Sequence, residues 1–472
     1  MRCGLTCLAV LFAAAVPAPA QPPSEVEPTK LTLSPTAAPS PALKYVLLPE
    51  LDDQTPGNAA REYYRAFSPE WWGHIRQPKT REKITDAMQT PLKDLPRQEL
   101  SWLESNSMLR QVDLASRREY VDWGMAERLR REGIGILLPD VQDMRSIAAL
   151  LVVRARLEIA EGRYDKALYT LQTGLSLSRH IGDGVILIQD LVGIAIAQLM
   201  IARVEELIQQ PDAPNLYWAL TDLPRPFFDL RKALQGEKLW LFASLPELRS
   251  LETTRLTPEQ QEKLIHAYRV IEGSHVSGEK PSWSDRLAVT FLVLRAYPEA
   301  KQALIAEGRK PEEVEALPTL QVVLIHSLHQ YRRLQDDLFK WCGLPYWEAR
   351  QGIEQADQRI RQARRRLEGL PFIDALPALQ KVASAAVRTD RRIAALRCVE
   401  AIRLYAAAHD GKLPATLDGL TDVPIPLDPA TGKAFIYRTA GERATLSAPP
   451  PPGEQANLSN SFHYELTLRR QK

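Results

Sequence analysis

The chain has 472 residues, 45% of them hydrophobic and 25% charged, which is too apolar for a disordered chain and enough for cores in more than one domain. Its 60 basic residues nearly balance 58 acidic ones, so bulk electrostatic attraction to nucleic acid or to an anionic membrane is excluded. Four cysteines in a chain of this length exclude a disulfide-built scaffold.

Taken in order, the first twenty residues carry Arg2, an apolar stretch from Leu5 to Val16 and the small-residue sequence Ala18-Pro19-Ala20. That is the pattern of a secretory signal, and cleavage is expected after Ala20, leaving a periplasmic or secreted chain. Only Cys342 and Cys398 then remain, so one intramolecular disulfide at most can form, and the sequence leaves that pairing open. Residues 21–43, rich in Pro, Ser, Thr and Ala, read as an extended linker.

A helical domain is expected over 44–375. Tyr45-Val46-Leu47-Leu48 opens it, and Pro56-Gly57-Asn58 turns the chain into a helix carrying Tyr63, Tyr64 and Phe67, with Trp71 and Trp72 next. Such aromatics either fill the edge of a helical core or line a groove for a peptide or glycan. Shorter helices are predicted at 80–90, 96–121 and 124–131, ending at Gly133-Ile134-Gly135. That segment lacks the third glycine and the preceding strand of a dinucleotide loop.

Residues 138–210 are the centre of the reading. Pro139, Asp140 and Asp143 open a helix whose stripes are Ile147, Leu151, Ala155 and Leu150, Val153, Leu157. Ala160-Glu161-Gly162-Arg163-Tyr164 turns the chain, and Tyr164, Leu168, Leu171 and Leu175 recur at helical spacing. Arg179 and His180 end this second helix. Gly182 is expected in a left-handed conformation and Asp183 as a cap, so Ser178, His180 and Asp183 read as helix-end chemistry and not as a triad.

The third helix, Val185 to Gln209, is apolar nearly all round and is predicted to be buried, Leu191 included. It would run about 37 Å. Gln189, Asp190 and Gln198 inside it argue against a membrane span, so no transmembrane segment is expected in the mature chain.

Prolines break the pattern from 211 to 256, and helices return at 257–273, 284–306 and 318–340. His326 and His329 share one helix face, but no third ligand is evident, and they are expected to be structural. Arg359, Arg361, Arg364, Arg365 and Arg366 are expected on a solvated face. HExxH, GxSxG and GxxxxGK sequences are absent, and no residue is assigned a catalytic, cofactor-binding or metal-ligating role.

A final α+β module is expected over 376–472. A helix from Arg388 stops at Asp410-Gly411. Leu413-Pro414, Pro426-Leu427-Asp428-Pro429 and Gly432-Lys433 follow, with strands at 434–439, 443–448 and 462–469. Phe462, Tyr464, Leu466 and Leu468 would share one face of the last strand.

Two resemblances follow from these residues. The run Ala160, Gly162, Tyr164, Ala167, Leu171 is similar to one tetratricopeptide-type helical pair. The order from Arg388 to Arg469 resembles the globular half of the major pseudopilins of type II secretion systems. The polymerising N-terminal helix of that family is missing, and its acidic calcium loop is replaced by Pro449 to Asn457 with the single carboxylate of Glu454. The whole arrangement resembles exported bacterial helical-repeat proteins.

The fold class is therefore mainly α, helical hairpins with a small C-terminal module of one long helix and a three-stranded antiparallel sheet. The expected role is non-enzymatic: a helical binding or scaffolding surface for a protein partner in the cell envelope, without cofactor or nucleic acid. The alternative is an envelope hydrolase whose site is assembled from distant residues.

Overall fold

Helical periodicity over most of the chain becomes helix in the computed structural model, which describes residues 28–67, 72–73, 75–132, 139–271, 283–366, 372–451, 454, 456–457 and 460–469. The expected signal segment, Trp71, Gly133-Ile134-Gly135 and the side chains of Pro139, Asp140 and Arg366 lie outside these residues.

In chain order the main elements begin with β1 (Thr29–Leu33), β2 (Thr55–Asn58), α1 (Ala59–Ala66), α2 (Pro78–Gln89), α3 (Ser107–Ser116), β3 (Arg118–Tyr120) and α4 (Met125–Glu132). Next come α5 (Pro139–Ala160), α6 (Tyr164–Gly182), α7 (Leu187–Ile208) and α8 (Arg231–Ser244). The chain ends with α9 (Pro258–Ile271), α10 (Trp283–Ala306), α11 (Thr319–Phe339), α12 (Tyr346–Arg366), α13 (Leu379–Ala408), β4 (Ile436–Ala440), β5 (Arg443–Ala448) and β6 (Phe462–Leu468). The protein is mainly helical, with a small C-terminal sheet, as its sequence predicts.

The chain forms two units, and their boundaries differ from the expected ones. One draws on Met125–Leu137 and Leu234–Lys381, the other on Pro23–Gly124, Leu138–Ala233 and Val382–Lys472. The C-terminal module is therefore not separate from the central helices.

In the second of these units, α5, α6 and α7 pack against one another, α3 packs on α6, and α2 on α5. Ile147, Leu150, Leu151, Val153, Ala155 and Leu157 are all buried, as their two stripes require. Arg154, Arg156 and Glu158 are buried with them, because each finds partners. Arg154 forms a two-pronged pair with Asp113 of α3 at 2.6 and 2.9 Å, and Glu158 accepts the Thr170 hydroxyl at 2.7 Å.

Three expectations here are corrected. Gly182 is helical and not left-handed: its backbone lies against Gly193 of α7, where an added Cβ on Gly193 would sit 2.9 Å from Gly182 Cα. Asp183 does not cap the helix that follows, since Ile186 occupies the N-cap position of α7; it ends α6 instead, its backbone N–H donating to Arg179 O at 2.8 Å and its carboxylate pairing with Lys232 at 2.7 Å. Leu191 is 40% exposed, so α7 is buried on most sides but not all. This helix is long and apolar enough to cross a membrane, but most of its apolar window is packed against protein.

The expected linker is also corrected. Residues 29–33 form β1, and Leu31 and Leu33 are buried, because the alternation Leu31-Thr32-Leu33 presents an apolar edge to the sheet. The sheet runs β1-β6-β5-β4, with β1 parallel to β6 and the other pairs antiparallel. Leu31 aligns with Leu466 and Leu33 with Leu468. Tyr464, Leu466 and Leu468 share the buried face with Ala444, Leu446 and Ala448.

Arg403 of α13, fully buried, binds this N-terminal segment through Ser34 O (3.0 Å) and Thr36 Oγ1 (2.8 Å). The same guanidinium reaches Ala213 O (2.8 Å) and pairs with Glu400 at 2.9 Å. Helix α13 starts earlier than expected, since nothing from Leu379 to Ala408 is Gly or Pro.

In the other unit, α10 packs on α11 and α11 on α12. Gln321, buried on α11, fixes the preceding loop by accepting from Leu256 N (2.9 Å) and donating to Leu251 O (2.7 Å) and Thr254 O (2.8 Å). The helix α8, unforeseen in the proline-rich stretch, fits between Pro226 and Pro246.

Candidate functional site

Asn58 ties the Asp122 loop to the start of α1. Its side-chain oxygen caps α1 by accepting from Ala60 N at 3.0 Å, and also accepts from Asp122 N at 2.9 Å, while its amide donates to Asp122 O at 2.8 Å. The parallel pair β2 and β3 brings the two segments alongside. Trp123 is thereby held over α1.

The Trp123 ring stacks on Tyr63 with centroids 5.6 Å apart and planes 17° from parallel. Tyr64 meets it edge-on at 5.8 Å, and the indole N–H donates to His180 O at 2.8 Å. Tyr63 is buried, Trp123 and His180 are half-buried, and Tyr64 is exposed. Phe67 and Trp72 make a second edge-on pair at 4.8 Å, with the Arg76 guanidinium 4.9 Å over the Trp72 ring.

Beneath Trp123, the Tyr63 hydroxyl and His180 Nδ1 are 2.9 Å apart. Burial, then the nearby Arg179 charge, pushes the imidazole pKa down to about 4, so the ring is neutral at pH 7. Burial pushes the Tyr63 phenol up, so it keeps its proton. Arg179 donates to Phe227 O at 2.7 Å and lies over the Phe227 ring, and Phe227 N in turn donates to Asp390 at 2.8 Å. Burial raises the Asp390 pKa to about 7.

Ser178, His180 and Asp183 do not converge. The Ser178 hydroxyl donates to Leu175 O at 2.6 Å within its own helix, and Asp183 faces Lys232. His326 and His329 differ in their surroundings. His326 is buried, with no hydrogen-bond partner at either ring nitrogen among the described residues, and desolvation lowers its pKa. His329 lies between Glu307 (2.7 Å at Nδ1) and Glu252 (3.3 Å at Nε2), carboxylates that distant segments supply. Two different nitrogens of one ring cannot share a metal ion, and no group of three ligating side chains among the described residues could hold one.

Asp143 pairs with Arg76 at 3.2 Å. Arg359, Arg361 and Arg364 are exposed and pair with Asp337, Asp357 and Asp374. Cys342 and Cys398 are not joined in a disulfide, and burial raises the Cys398 pKa to about 12. Sequence reading singled out Tyr63, Tyr64 and Trp72 but missed Trp123 and its union with His180. No local signal marks Trp123, since the contact depends on a loop tied down by Asn58.

No family model, curated protein or solved structure matches this chain.

Proposed function

We propose that the chain is an exported, non-enzymatic binding protein, whose helices present the Trp123 platform to a neutral, ring-bearing group and whose tail is pseudopilin-like. One observation carries this reading: Trp123 is fixed by its stack on Tyr63 and by its N–H bond to His180 O, yet stays half-buried. A ring immobilised before binding loses little entropy when a sugar or side-chain ring stacks on it.

The hydrolase alternative has its own supporting contact in Tyr63 and His180. A base with a pKa of about 4 is poorly matched to proton transfer near neutral pH, and a fully buried phenol is poorly placed to attack substrate. Binding is therefore the preferred reading.

Thermal unfolding with tri-N-acetylchitotriose and with a Pro- and Tyr-containing dodecapeptide tests it. At one hundred times its dissociation constant a ligand stabilises by about 2.7 kcal/mol. One of the two should raise the melting temperature of the parent chain and leave that of Trp123→Ala unmoved. Equal shifts in both proteins, or none in the parent, would reject the platform. Export is tested separately by mass spectrometry, which should find Gln21 as the mature start.

A further inference from the structure

The β4–β5 hairpin closes through Gly441 and Glu442, with Ala440 opposite Arg443. In a two-residue hairpin that closing pair exchanges both backbone hydrogen bonds, as do the pairs Arg438–Thr445 and Ile436–Ser447 along the same ladder. The Leu468 N to Glu442 O bond, on the opposite side of β5, agrees with this alternation.

Tyr437 and Thr439 therefore turn their N–H and C=O away from β5. Strand β4 is the end of the sheet order, and no backbone bond reaches these groups among the described residues. The edge is also accessible: Ile436, Arg438, Thr439 and Ala440 are exposed.

Charge distinguishes the occupants. Lys433, Arg438 and Arg443 are exposed, and none forms an ion pair among the described residues; Asp428, whose backbone N–H donates to Lys433 O, gives its carboxylate to Arg391, and the other nearby acids are Glu442 in the turn and Glu465 two strands away. Pairing with a second copy over the full strand would set Tyr437 against Thr439 and Arg438 against Arg438. That is a non-hydrogen-bonded site, where side chains come closest, so the strand resists self-pairing. An extended acidic guest meets no such opposition.

We propose that β4 is a docking edge that takes an extended acidic peptide segment as a further strand, held by the backbone groups of Tyr437 and Thr439 and selected by Arg438. This is independent of the Trp123 platform. The guest adds main-chain hydrogen bonds to a sheet already covered on its other face, so neither partner must refold.

The test uses the full mature chain and two fluorescein-labelled, acetylated and amidated peptides, Thr-Glu-Val-Glu-Thr and Thr-Lys-Val-Lys-Thr. Fluorescence polarisation should show the acidic peptide binding at least tenfold tighter, an advantage that fades with added salt. Arg438→Glu, an exposed change that leaves the backbone intact, should reverse the preference. Thr439→Pro, checked for native circular dichroism, should abolish binding, because it removes an outward N–H. Equal binding of the two peptides, binding of neither, or an unchanged preference in Arg438→Glu overturns the proposal. So does sedimentation showing a dimer of the parent chain that Thr439→Pro dissociates, since the edge would then belong to a second copy.

Discussion

Arg391 on α13 and Asp428 in the Pro-Leu-Asp-Pro loop form an ion pair of 2.7 Å, with only 5% and 2% of their side chains exposed. Asp428 also accepts from Ala430 N at 3.0 Å and from the Thr431 hydroxyl at 2.9 Å. One carboxylate thus shapes its own loop and anchors it to the helix.

Removing either partner leaves a buried charge alone, which costs about 3–5 kcal/mol. Asp428→Ala and Arg391→Ala should each lower stability by that order in urea denaturation. The double variant should cost less than the sum of the two, because it leaves no orphan charge. Strict additivity would mean the pair is not coupled.

The exposure of Leu191 reverses the expectation that an apolar helix is intolerant everywhere. Leu191→Asp should change stability by no more than about 0.5 kcal/mol, whereas Ile201→Asp, at a site with no exposure, should cost several kcal/mol. Thermal melts by circular dichroism separate the two. Similar losses in both variants would contradict the packing around α7.

Two groups make stability depend on pH in opposite senses. The Asp390 pKa is raised from 3.8 to about 7, so its contribution is fully present below pH 3.8 and is lost as pH rises towards 7. His180 is lowered from 6.5 to about 4, so its contribution is present above pH 6.5 and is lost as pH falls towards 4. Asp390→Asn should therefore be more stable than the parent at pH 8, by on the order of a few kcal/mol in urea denaturation, and the difference should vanish by pH 4. A constant offset across that range would show that ionisation of Asp390 is not the cause.

The C-terminal module should not fold alone. Its sheet is completed by β1, and Glu205 of α7 pairs with Arg392 at 2.6 Å and accepts the Tyr464 hydroxyl. A fragment of residues 377–472 lacks both, and should give a collapsed amide spectrum by NMR. A dispersed spectrum from that fragment would make β1 and α7 dispensable to the sheet.

Local periodicity by itself determined much of the architecture. The stripes around Ile147 and Leu151, the Gly162 turn and the alternation of Phe462, Tyr464, Leu466 and Leu468 each specify an element through neighbours a few residues away. What local pattern does not carry is the choice of distant partner. Thr29 to Leu33 has only five residues of signal in a proline-rich stretch, and becomes a strand because β6 offers it a ladder and a buried face. Arg403 reads as one of many surface-type charges until Ser34, Thr36, Ala213 and Glu400 surround it. Trp123, Tyr63 and His180 lie in three separate segments, and nothing local to any of them points to the other two. Only the packing of α1 against α3, of α3 against α6 and the Asn58 tether bring them together, because stacking and hydrogen bonding act across a few ångströms of space whatever the separation along the chain.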